Sequence, residues 1–252
     1  AGNVLFPETR TFYAWDCELN DEFGGIHPPK EINKEAIRKR VWDKLEQTDT
    51  VLWPRPCHGR IPNTAGSNLA CSYLLELQMV RNVEVIKVHP SIGAAALRTA
   101  LVMAGKTVLV PPYPGTDFLY YRVHEDLAPS TSALKKSGDK REYLKWGKPL
   151  RLDEIPTVDI VVVATCAISE NGVRLGKGKG YGEIEWGVLS EIGAVNEKTP
   201  VLSICHEHQI IPADELPPSI LEEHDLPVDI FASQDELYFS AVSDHQLATC
   251  ET

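Results

Sequence analysis

The sequence has no apolar run long enough to cross a membrane, no N-x-S/T glycosylation site and no C-x-x-C pair. Its longest apolar stretch, residues 91–105, includes Arg98 and is shorter than the roughly 20 residues that a membrane helix needs. Six scattered cysteines in 252 residues fit a reducing compartment better than secretion. The first residues also lack the basic start and apolar core of a signal peptide. We therefore expect a cytoplasmic protein, or one from the mitochondrial or plastid matrix if a leader has been removed.

Missing motifs exclude several function classes. No Gly-Lys-Ser/Thr closes a Walker A loop, and no G-x-G-x-x-G dinucleotide fingerprint or hydrolase-type Ser/His/Asp or Cys/His spacing is recognisable. The glycine-aromatic run of an RNA-recognition module is also missing. The net charge of −11 disfavours broad binding to nucleic acid or to anionic membranes. We expect a small-molecule partner, with no nucleic acid and no membrane, and the oligomeric state is left open.

Helix and strand patterns alternate along a chain whose composition, 43% hydrophobic and 24% charged, is that of an ordinary globular protein. Helices are predicted from residue 31, over 67–77 and 91–103 with Ser67 and Ser91 as N-caps, and over 183–192. Strands are predicted over 83–88, 106–110, 158–165, 201–205 and 228–232, and residues 130–153 are expected to be irregular. Because the strands are nearly continuous in Val and Ile, they predict an α/β fold with a mostly parallel sheet covered on both faces. Residues 1–30 are interpreted as an N-terminal extension, and 31–252 as one domain.

The segment Gly172–Tyr181 follows a Val/Ile strand, and within it Gly176, Gly178 and Gly180 alternate with Lys177 and Lys179. Alternating glycines permit positive φ and bring successive N–H groups to a ligand. The lysines add positive charge, and the next predicted helix adds its N-terminus. This combination favours a polyphosphate ligand, with a solvated basic turn as the alternative. Because ligands bind at the carboxyl ends of parallel strands, we expect the loop, His206 and the turn near Val228 to face one crevice.

The strand, the Asn-Gly turn and the glycine-lysine loop together resemble the signature of 5-formyltetrahydrofolate cyclo-ligases (methenyltetrahydrofolate synthetases), G-x-R-L-G-x-G-x-G-Y-Y-D. Residues 200–209 and 223–229 resemble the family's late strand and its H-D-x-x-V-D ending, and Lys34 with Arg38 resembles its N-terminal K-x-x-x-R. Residues 60–63 read R-I-P-N, as in a divergent branch of the family. The resemblance runs from about residue 31 to 234 and is strongest in the second half. It implies a three-layer Rossmann-like fold of the NagB/RpiA/CoA-transferase kind.

The resemblance also implies an activity, the cyclisation of 5-formyltetrahydrofolate to 5,10-methenyltetrahydrofolate through a phosphorylated formyl intermediate, with ATP and Mg²⁺. The catalytic residues that it implies are Arg174, Lys179 and Tyr181, and the ATP-binding residues are Lys34, Arg38, Gly176, Lys177, Gly178 and Gly180. The magnesium ligands that it implies are Glu183, which replaces the family's aspartate, and Asp229. The spacing of Lys34 and Arg38, one helical turn apart, fits an exposed basic face equally well.

The predicted substrate pocket departs from the family pattern. Members of the family have a pterin-recognising glutamate in an early serine-led helix, where this sequence has Asn68, and an amide lacks the two equivalent acceptors of a carboxylate. Tyr113 and Trp146 are candidates for stacking on the substrate ring, although such aromatics are commonly core residues. We therefore expect slow turnover of the folate substrate, or none. The alternatives are a paralogue acting on another formyl or carboxylate compound, and a non-catalytic nucleotide- or RNA-binding module.

Cys205-His206-Glu207-His208 has the residue types of a metal site. On an extended chain His206 and His208 share one face while the other two residues share the opposite face, so all four reach one ion only at a bend. We expect His206 to be a hydrogen-bonding residue of the crevice rather than a metal ligand.

Overall fold

A computed structural model describes residues 33–112 and 118–240, so the predicted extension, residues 1–30, lies outside the described part of the chain. The α-helices of the described residues are α1 (Lys34–Gln47), α2 (Ser67–Glu76), α3 (Gln78–Asn82), α4 (Ala95–Met103), α5 (Thr131–Leu134), α6 (Lys140–Trp146) and α7 (Tyr181–Glu191). Their β-strands are β1 (Val85–Val88), β2 (Thr107–Val110), β3 (Tyr120–Val123), β4 (Lys148–Leu150), β5 (Ile160–Val163), β6 (Ala167–Ser169), β7 (Arg174–Leu175), β8 (Val201–Ile204), β9 (Ile210–Ile211), β10 (Ile230–Ala232) and β11 (Leu237–Phe239). Within these residues, no helix combines the length and the apolar character that crossing a bilayer requires.

An eight-stranded sheet organises the molecule, with the strand order β11-β10-β8-β5-β1-β2-β3-β4. The five central strands are parallel, and the antiparallel strands β3, β4 and β11 complete the two edges. This confirms the predicted α/β fold with a mostly parallel sheet. The antiparallel edge strands were missed because they are only three or four residues long, and β3 and β4 also mix polar and apolar residues.

Both faces of the sheet are buried, as the alternation along β5 shows. Ile160 and Val162 pack into one hydrophobic cluster with α2 and α4, whereas Val161 and Val163 pack into a second cluster with α7. Successive side chains of a strand point to opposite faces, so a strand covered on both sides must be apolar throughout. This requirement explains why β5 appears in the sequence as an uninterrupted Ile-Val-Val-Val run.

A smaller sheet, with the order β7-β6-β9, supports α1. The helix begins after Asn33, whose side chain accepts the N–H groups of the first turn. Its apolar side, including Val41 and Leu45, packs against residues of β6 and β7 in a third cluster. The small sheet therefore fixes the position of α1 relative to the segment that follows β7.

The β6–β7 hairpin turns at Gly172, where the sequence has its Asn-Gly pair. Gly172 has φ +81°, and a Cβ atom there would lie 2.2 Å from the carbonyl oxygen of Val228. Gly172 is therefore required by a close approach of two backbone segments, and it lies in the hairpin rather than in the loop that precedes α7.

Three local predictions differ from the structure. Ser67 is the first residue of α2, after an N-cap at Gly66, and its hydroxyl donates to the carbonyl oxygen of Thr64. Ser91 is the N-cap residue of a 3₁₀ turn, residues 92–94, that leads into α4, but its hydroxyl makes no cap hydrogen bond because it pairs with a ring nitrogen of His89. Residues 130–153 are ordered as α5, α6 and β4, since they complete the sheet beyond β3.

Candidate active site

The segment Gly176–Gly180, called here the glycine-lysine loop, lies at the carboxyl edge of the large sheet. Arg174, at the start of β7, donates from Nη1 to the carbonyl oxygen of Ala164, immediately after β5 (2.8 Å). Helix α7 then runs from the loop towards the amino edge, where the N–H of Val158 donates to the carbonyl oxygen of Ala194 (2.8 Å). The loop thus occupies the edge at which ligands bind in parallel sheets.

Helix α1 lies against this loop through Arg38. The guanidinium Nε of Arg38 donates to the carbonyl oxygen of Gly176 (2.8 Å), and the group is largely covered, with 12% of the side chain exposed. A Cβ atom at Gly178 would lie 3.4 Å from this guanidinium. The structure therefore brings Arg38 of α1 to Gly176 and Gly178 of the loop, three predicted ATP-binding residues of which the first is far from the others in sequence.

The loop presents its charges at the start of α7. Gly178 and Gly180 have φ of +83° and +66°, and Gly180 is the N-cap of α7 without a side-chain cap hydrogen bond. Lys179 is exposed, and the Nζ atom of Lys177 lies 5.1 Å from the ring centroid of the exposed Tyr181. The helix N-terminus and two ammonium groups consequently stand at one accessible surface, which is an arrangement that binds anions.

Lys34 lies one turn before Arg38, and its charge is already paired. Its Nζ donates to Asp225 (2.6 Å) and to Glu222 (3.2 Å). Burial acts to lower the pKa of this ammonium, but its hydrogen bonds to Asp225 and then Glu222 outweigh burial and raise that pKa above its usual value. The structure thus places Lys34 beside two carboxylates rather than alone at a phosphate position.

Arg174 is buried beneath the loop and is bound on several sides. It donates to the carbonyl oxygens of Leu226 (3.1 Å) and Ala164, and it forms an ion pair with the carboxylate of Glu183 in the first turn of α7. The pair is little exposed, with 2% of the Arg174 and 16% of the Glu183 side chain accessible. Arg174 therefore positions the loop and α7, while Glu183, a predicted magnesium ligand, has one oxygen engaged with it.

Asp229, the other predicted magnesium ligand, lies at the opposite edge of the sheet. It immediately precedes β10, and its carboxylate accepts the N–H of Val201, the first residue of the neighbouring β8 (2.7 Å). Asp159 has the same relation to β5, accepting the N–H of Val85 (2.8 Å). The structure does not bring Asp229 to the loop. The carboxylate of the late segment that does approach α1 is Asp225.

A small cavity of about 10 Å³ opens between the carboxyl ends of β1, β5 and β8. It is lined by Ile61, Pro62, Thr64, Ser67, His89, Ser91, Gly93, Thr165, Ile204, Cys205 and Gln209. None of these lining residues is acidic. The R-I-P-N segment thus forms one wall, and the residues that follow three parallel strands form the others.

The predicted substrate-binding residues lie elsewhere. Asn68 is exposed and does not line the cavity, whereas its neighbour Ser67 does. Trp146 packs at the end of α6 against the hydrophobic cluster that contains Tyr143. Tyr113 lies outside the described residues. Ser67 and Asn68 both lie on α2, but a step of one residue around a helix changes the side that a residue faces, so only Ser67 lines the cavity.

The His-Glu-His segment is bent by a 3₁₀ turn, residues 207–209, which the sequence analysis did not predict. Ligating atoms of His206, Glu207 and His208 consequently approach to within 4.8 Å of one another. The Nδ1 atom of His206 accepts the backbone N–H of His208 (3.1 Å), so the neutral ring carries its proton on Nε2. This tautomer disfavours metal binding through Nε2 and agrees with a hydrogen-bonding role for His206.

Sequence reasoning missed two groups of this edge. Asp225 belongs to the H-D pair of the late segment, so a signal for it was present in the sequence. His89 follows β1 and comes directly after the predicted strand 83–88, but it was not identified as a candidate site residue. Its position at the carboxyl end of a central parallel strand was the signal that could have identified it.

Comparison with known proteins places these features in a family. Residues 30–233 match the model of the 5-formyltetrahydrofolate cyclo-ligase family. The chain is 33% identical over 198 residues to the methenyltetrahydrofolate synthase domain-containing protein of Homo sapiens, covering 79% of this chain and 51% of that protein. The Mus musculus protein of the same name is 35% identical, with 79% and 52% covered. The chain thus spans about half the length of the curated relatives that it matches.

The fold also resembles a solved structure. The NMR structure of 5,10-methenyltetrahydrofolate synthetase from Aquifex aeolicus superposes with a TM-score of 0.52 at 18% identity, covering 82% of this chain and 93% of that one. At this level of identity the likeness concerns the fold. The family model covers most of the chain, and the predicted signature and the predicted fold are both confirmed. The chain belongs to the 5-formyltetrahydrofolate cyclo-ligase family.

Proposed function

We propose that this protein is an ATP-dependent ligase that binds magnesium-ATP at the glycine-lysine loop and activates an acyl oxygen of a second substrate that enters the cavity at the same edge of the sheet. The observation that supports this most directly is the contact of Arg38 with Gly176 and Gly178 at the start of α7. It assembles a guanidinium, two lysines and a helix N-terminus around a glycine-rich backbone. Phosphoryl transfer depends mainly on such positioning and charge neutralisation.

Within this site, the exposed residues bind the phosphates and the buried ones hold them in place. Lys179 and Lys177 provide ammonium groups, and the N–H groups of the loop and of the first turn of α7 donate to phosphate oxygens. Tyr181 lies beside Lys177 and restricts its position through a cation–π contact. Arg174 is a positioning residue, since its contacts are with Ala164, Leu226 and Glu183.

Magnesium is the metal that the available donors suit. Glu183 and Asp225 are carboxylates near the loop, and hard oxygen ligands together with phosphate oxygens are those that Mg²⁺ prefers. Glu183 is held by Arg174 through Oε1, which leaves its second oxygen for an ion. When bound, the metal supplies charge neutralisation between the phosphates.

The first substrate to test is 5-formyltetrahydrofolate. Its formyl oxygen is a poor leaving group, and transfer of the γ-phosphoryl group of ATP to that oxygen makes phosphate the leaving group. The nitrogen at position 10 then attacks the formyl carbon and loses its proton as the carbon–oxygen bond to phosphate breaks. The products are 5,10-methenyltetrahydrofolate, ADP and phosphate, and the task of the residues is to bring the two substrates together and exclude water.

The second candidate is a paralogue with the same ATP chemistry and another formyl or carboxylate substrate. It is favoured by the cavity lining, in which no residue is acidic. A pterin ring presents an edge of amino and ring N–H donors that a carboxylate pairs with well, and serine, threonine and glutamine side chains match it less closely. This observation motivates the search for a substrate beyond folates.

The test combines protein, magnesium-ATP and 5-formyltetrahydrofolate, and monitors the absorbance of methenyltetrahydrofolate together with ADP release. Formation of both products supports the folate activity. Nucleotide binding in calorimetry without methenyl product supports the paralogue, and a panel of N-formyl and carboxylate compounds is then screened for stimulated ADP release. No binding of ATP contradicts the proposal in both forms.

A further inference from the structure

We propose that His89 determines which acceptor substrate is bound, by donating a hydrogen bond from Nε2–H to a carbonyl oxygen of the acyl compound that enters the cavity. This inference rests on the proposed function for the presence of an acyl substrate. It goes beyond that function by assigning the residue and the chemical group that it recognises.

His89 occupies the position at which a substrate meets the sheet. It immediately follows β1, the N–H of His89 donates to the carbonyl oxygen of Val162 on β5 (3.1 Å), and its side chain lines the cavity. The residue is 4% exposed, so its polar atoms are removed from bulk water. Its Nε2 atom has no hydrogen-bond partner among the described residues. A buried polar group without a partner is costly, and a bound ligand at a cavity wall relieves that cost.

The tautomer follows from the partner of the other ring nitrogen. Nδ1 of His89 lies 2.7 Å from Oγ of Ser91. If the Ser91 hydroxyl donates to Nδ1, its hydrogen is used and only the Nε2–H donor is left to satisfy. If Nδ1–H donates to the Ser91 oxygen instead, both the Ser91 hydroxyl hydrogen and the Nε2 lone pair are left without a partner. The first arrangement leaves fewer unsatisfied groups, so the ring proton is on Nε2 and the ligand must offer an acceptor.

Arg98 keeps this pair rigid. It is buried, its Nη1 donates to the carbonyl oxygens of His89 (2.6 Å) and Ser91 (3.0 Å), and its Nε and Nη2 donate to that of Gly138. The segment carrying the imidazole is thereby fixed at both residues of the His89–Ser91 pair. A fixed donor discriminates between ligands better than a mobile one, because it cannot turn to another partner.

The neighbouring charges and the size of the cavity specify the acceptor further. Burial, together with the positive charges of Arg98, Lys87 and Arg174, holds the pKa of His89 well below its usual value, so the ring stays neutral. The cavity of about 10 Å³ accommodates roughly one water-sized group. The part of the substrate that reaches His89 is therefore small and neutral, as a carbonyl oxygen is.

The first experiment uses the whole protein labelled with ¹⁵N-histidine. NMR should show the Nε2–H tautomer of His89 at neutral pH, and N-methylformamide, a minimal carbonyl probe, should shift the Nε2 resonance saturably. His124 lies beside Gly105, away from the cavity, and should not respond. An Nδ1–H tautomer, or the absence of a saturable shift, overturns the proposal.

The second experiment compares His89→Leu with His89→Gln, which retains an amide N–H donor. With 5-formyltetrahydrofolate, we expect His89→Leu to raise the KM or Kd for the folate about tenfold or more while the KM for ATP is unchanged, and His89→Gln to recover part of this loss. His89→Gln is informative even if the leucine variant fails to fold.

The two experiments separate this inference from the proposed function. If 5-formyltetrahydrofolate binds to the parent protein and to folded His89→Leu equally well, the role of His89 is refuted and the proposed function survives. If the parent protein ignores 5-formyltetrahydrofolate but N-methylformamide shifts the His89 resonance, the proposed folate substrate is refuted and the role of His89 survives.

Discussion

Lys179 and Arg38 contribute to the candidate phosphate site in different ways. Arg38 is held against the loop by its bond to Gly176, whereas Lys179 is exposed. Removing the Arg38 side chain alters the support of the loop as well as its charge. Removing the Lys179 side chain alters only the charge that faces solvent, which makes Lys179 the cleaner test of nucleotide binding.

We expect Lys179→Ala to weaken ATP binding by about 1.5–3 kcal/mol, the cost of one hydrogen bond to a charged group, with little change in stability. Calorimetry with ATP and thermal unfolding measure the two effects. Lys198→Ala is the matched control, because Lys198 is also exposed but lies in the segment before β8, at the amino edge. Equal ATP affinity of a folded Lys179→Ala variant and the parent protein would show that the loop is a surface turn.

Two buried histidines predict a pH dependence of stability. Burial, with the charges of Arg98, Lys87 and Arg174, lowers the pKa of His89, and burial together with His208 lowers that of His206. At pH values between the unfolded-state pKa of about 6.5 and the lower folded-state pKa values of these histidines, the unfolded chain binds more protons than the folded protein. Stability should therefore fall as pH drops below about 6.5, by up to about 1.4 kcal/mol per pH unit for each histidine.

Urea unfolding at pH 7.5, 6.5 and 5.5 measures the slope of the free energy of unfolding against pH. His89→Gln should flatten it, whereas His224→Gln, which removes an exposed histidine, serves as the control. A His89→Gln variant with the same slope as the parent protein would contradict the assignment of the dependence to His89.

At the scale of elements, the β6–β7 hairpin connects the sheet to the glycine-lysine loop. Its turn at Gly172 touches the segment before β10, and β7 then leads directly to Gly176. The geometry of the loop therefore depends on a glycine that lies outside it.

We expect Gly172→Ala to destabilise the protein well beyond the strain of positive φ alone. At Gly193, φ is +72° and a Cβ would meet open space, so Gly193→Ala should cost about 1–2 kcal/mol. At Gly172 the Cβ would collide with the backbone of Val228, which adds roughly 1–3 kcal/mol. Urea unfolding of both variants measures the difference, and equal losses would contradict the close approach of the two segments.

At the scale of the whole molecule, four acidic residues with different roles lie at the two edges of the large sheet. Asp159 and Asp229 accept backbone N–H groups at the amino edge, while Glu183 and Asp225 pair with cations near the loop. Under the proposed function, only Glu183 and Asp225 lie on the side of the sheet where the magnesium ion would meet the phosphates.

We therefore expect Asp229→Asn to leave the magnesium activation curve unchanged, since asparagine retains an acceptor for the N–H of Val201. Glu183→Gln should shift the activation midpoint about tenfold or more to higher magnesium, because a neutral oxygen binds a hard ion less strongly. Asp159→Asn is the control at the same edge as Asp229. A shift in Asp229→Asn as large as that in Glu183→Gln would place Asp229 at the metal after all.

The sequence by itself determined the parallel sheet and the glycine-lysine loop, since both depend on local patterns. A strand buried on both faces must be apolar throughout, and closely spaced glycines permit the positive φ that the loop has at Gly178 and Gly180. The apolar side of α1 was predictable for the same reason, because helical periodicity places Val41 and Leu45 on one side.

Only the tertiary structure decided which polar residues share a site. Asp225 and Asp229 are four residues apart, yet Asp225 pairs with α1 and Asp229 lies at the amino edge, because the segment between them runs from α1 to the residue before β10. Ser67 faces the cavity and Asn68 does not, since adjacent residues of a helix point in different directions. The pairing of His89 with Ser91 likewise depends on the turn after β1, which Arg98 holds from another element. These placements arise from packing between distant segments, which local sequence patterns do not encode.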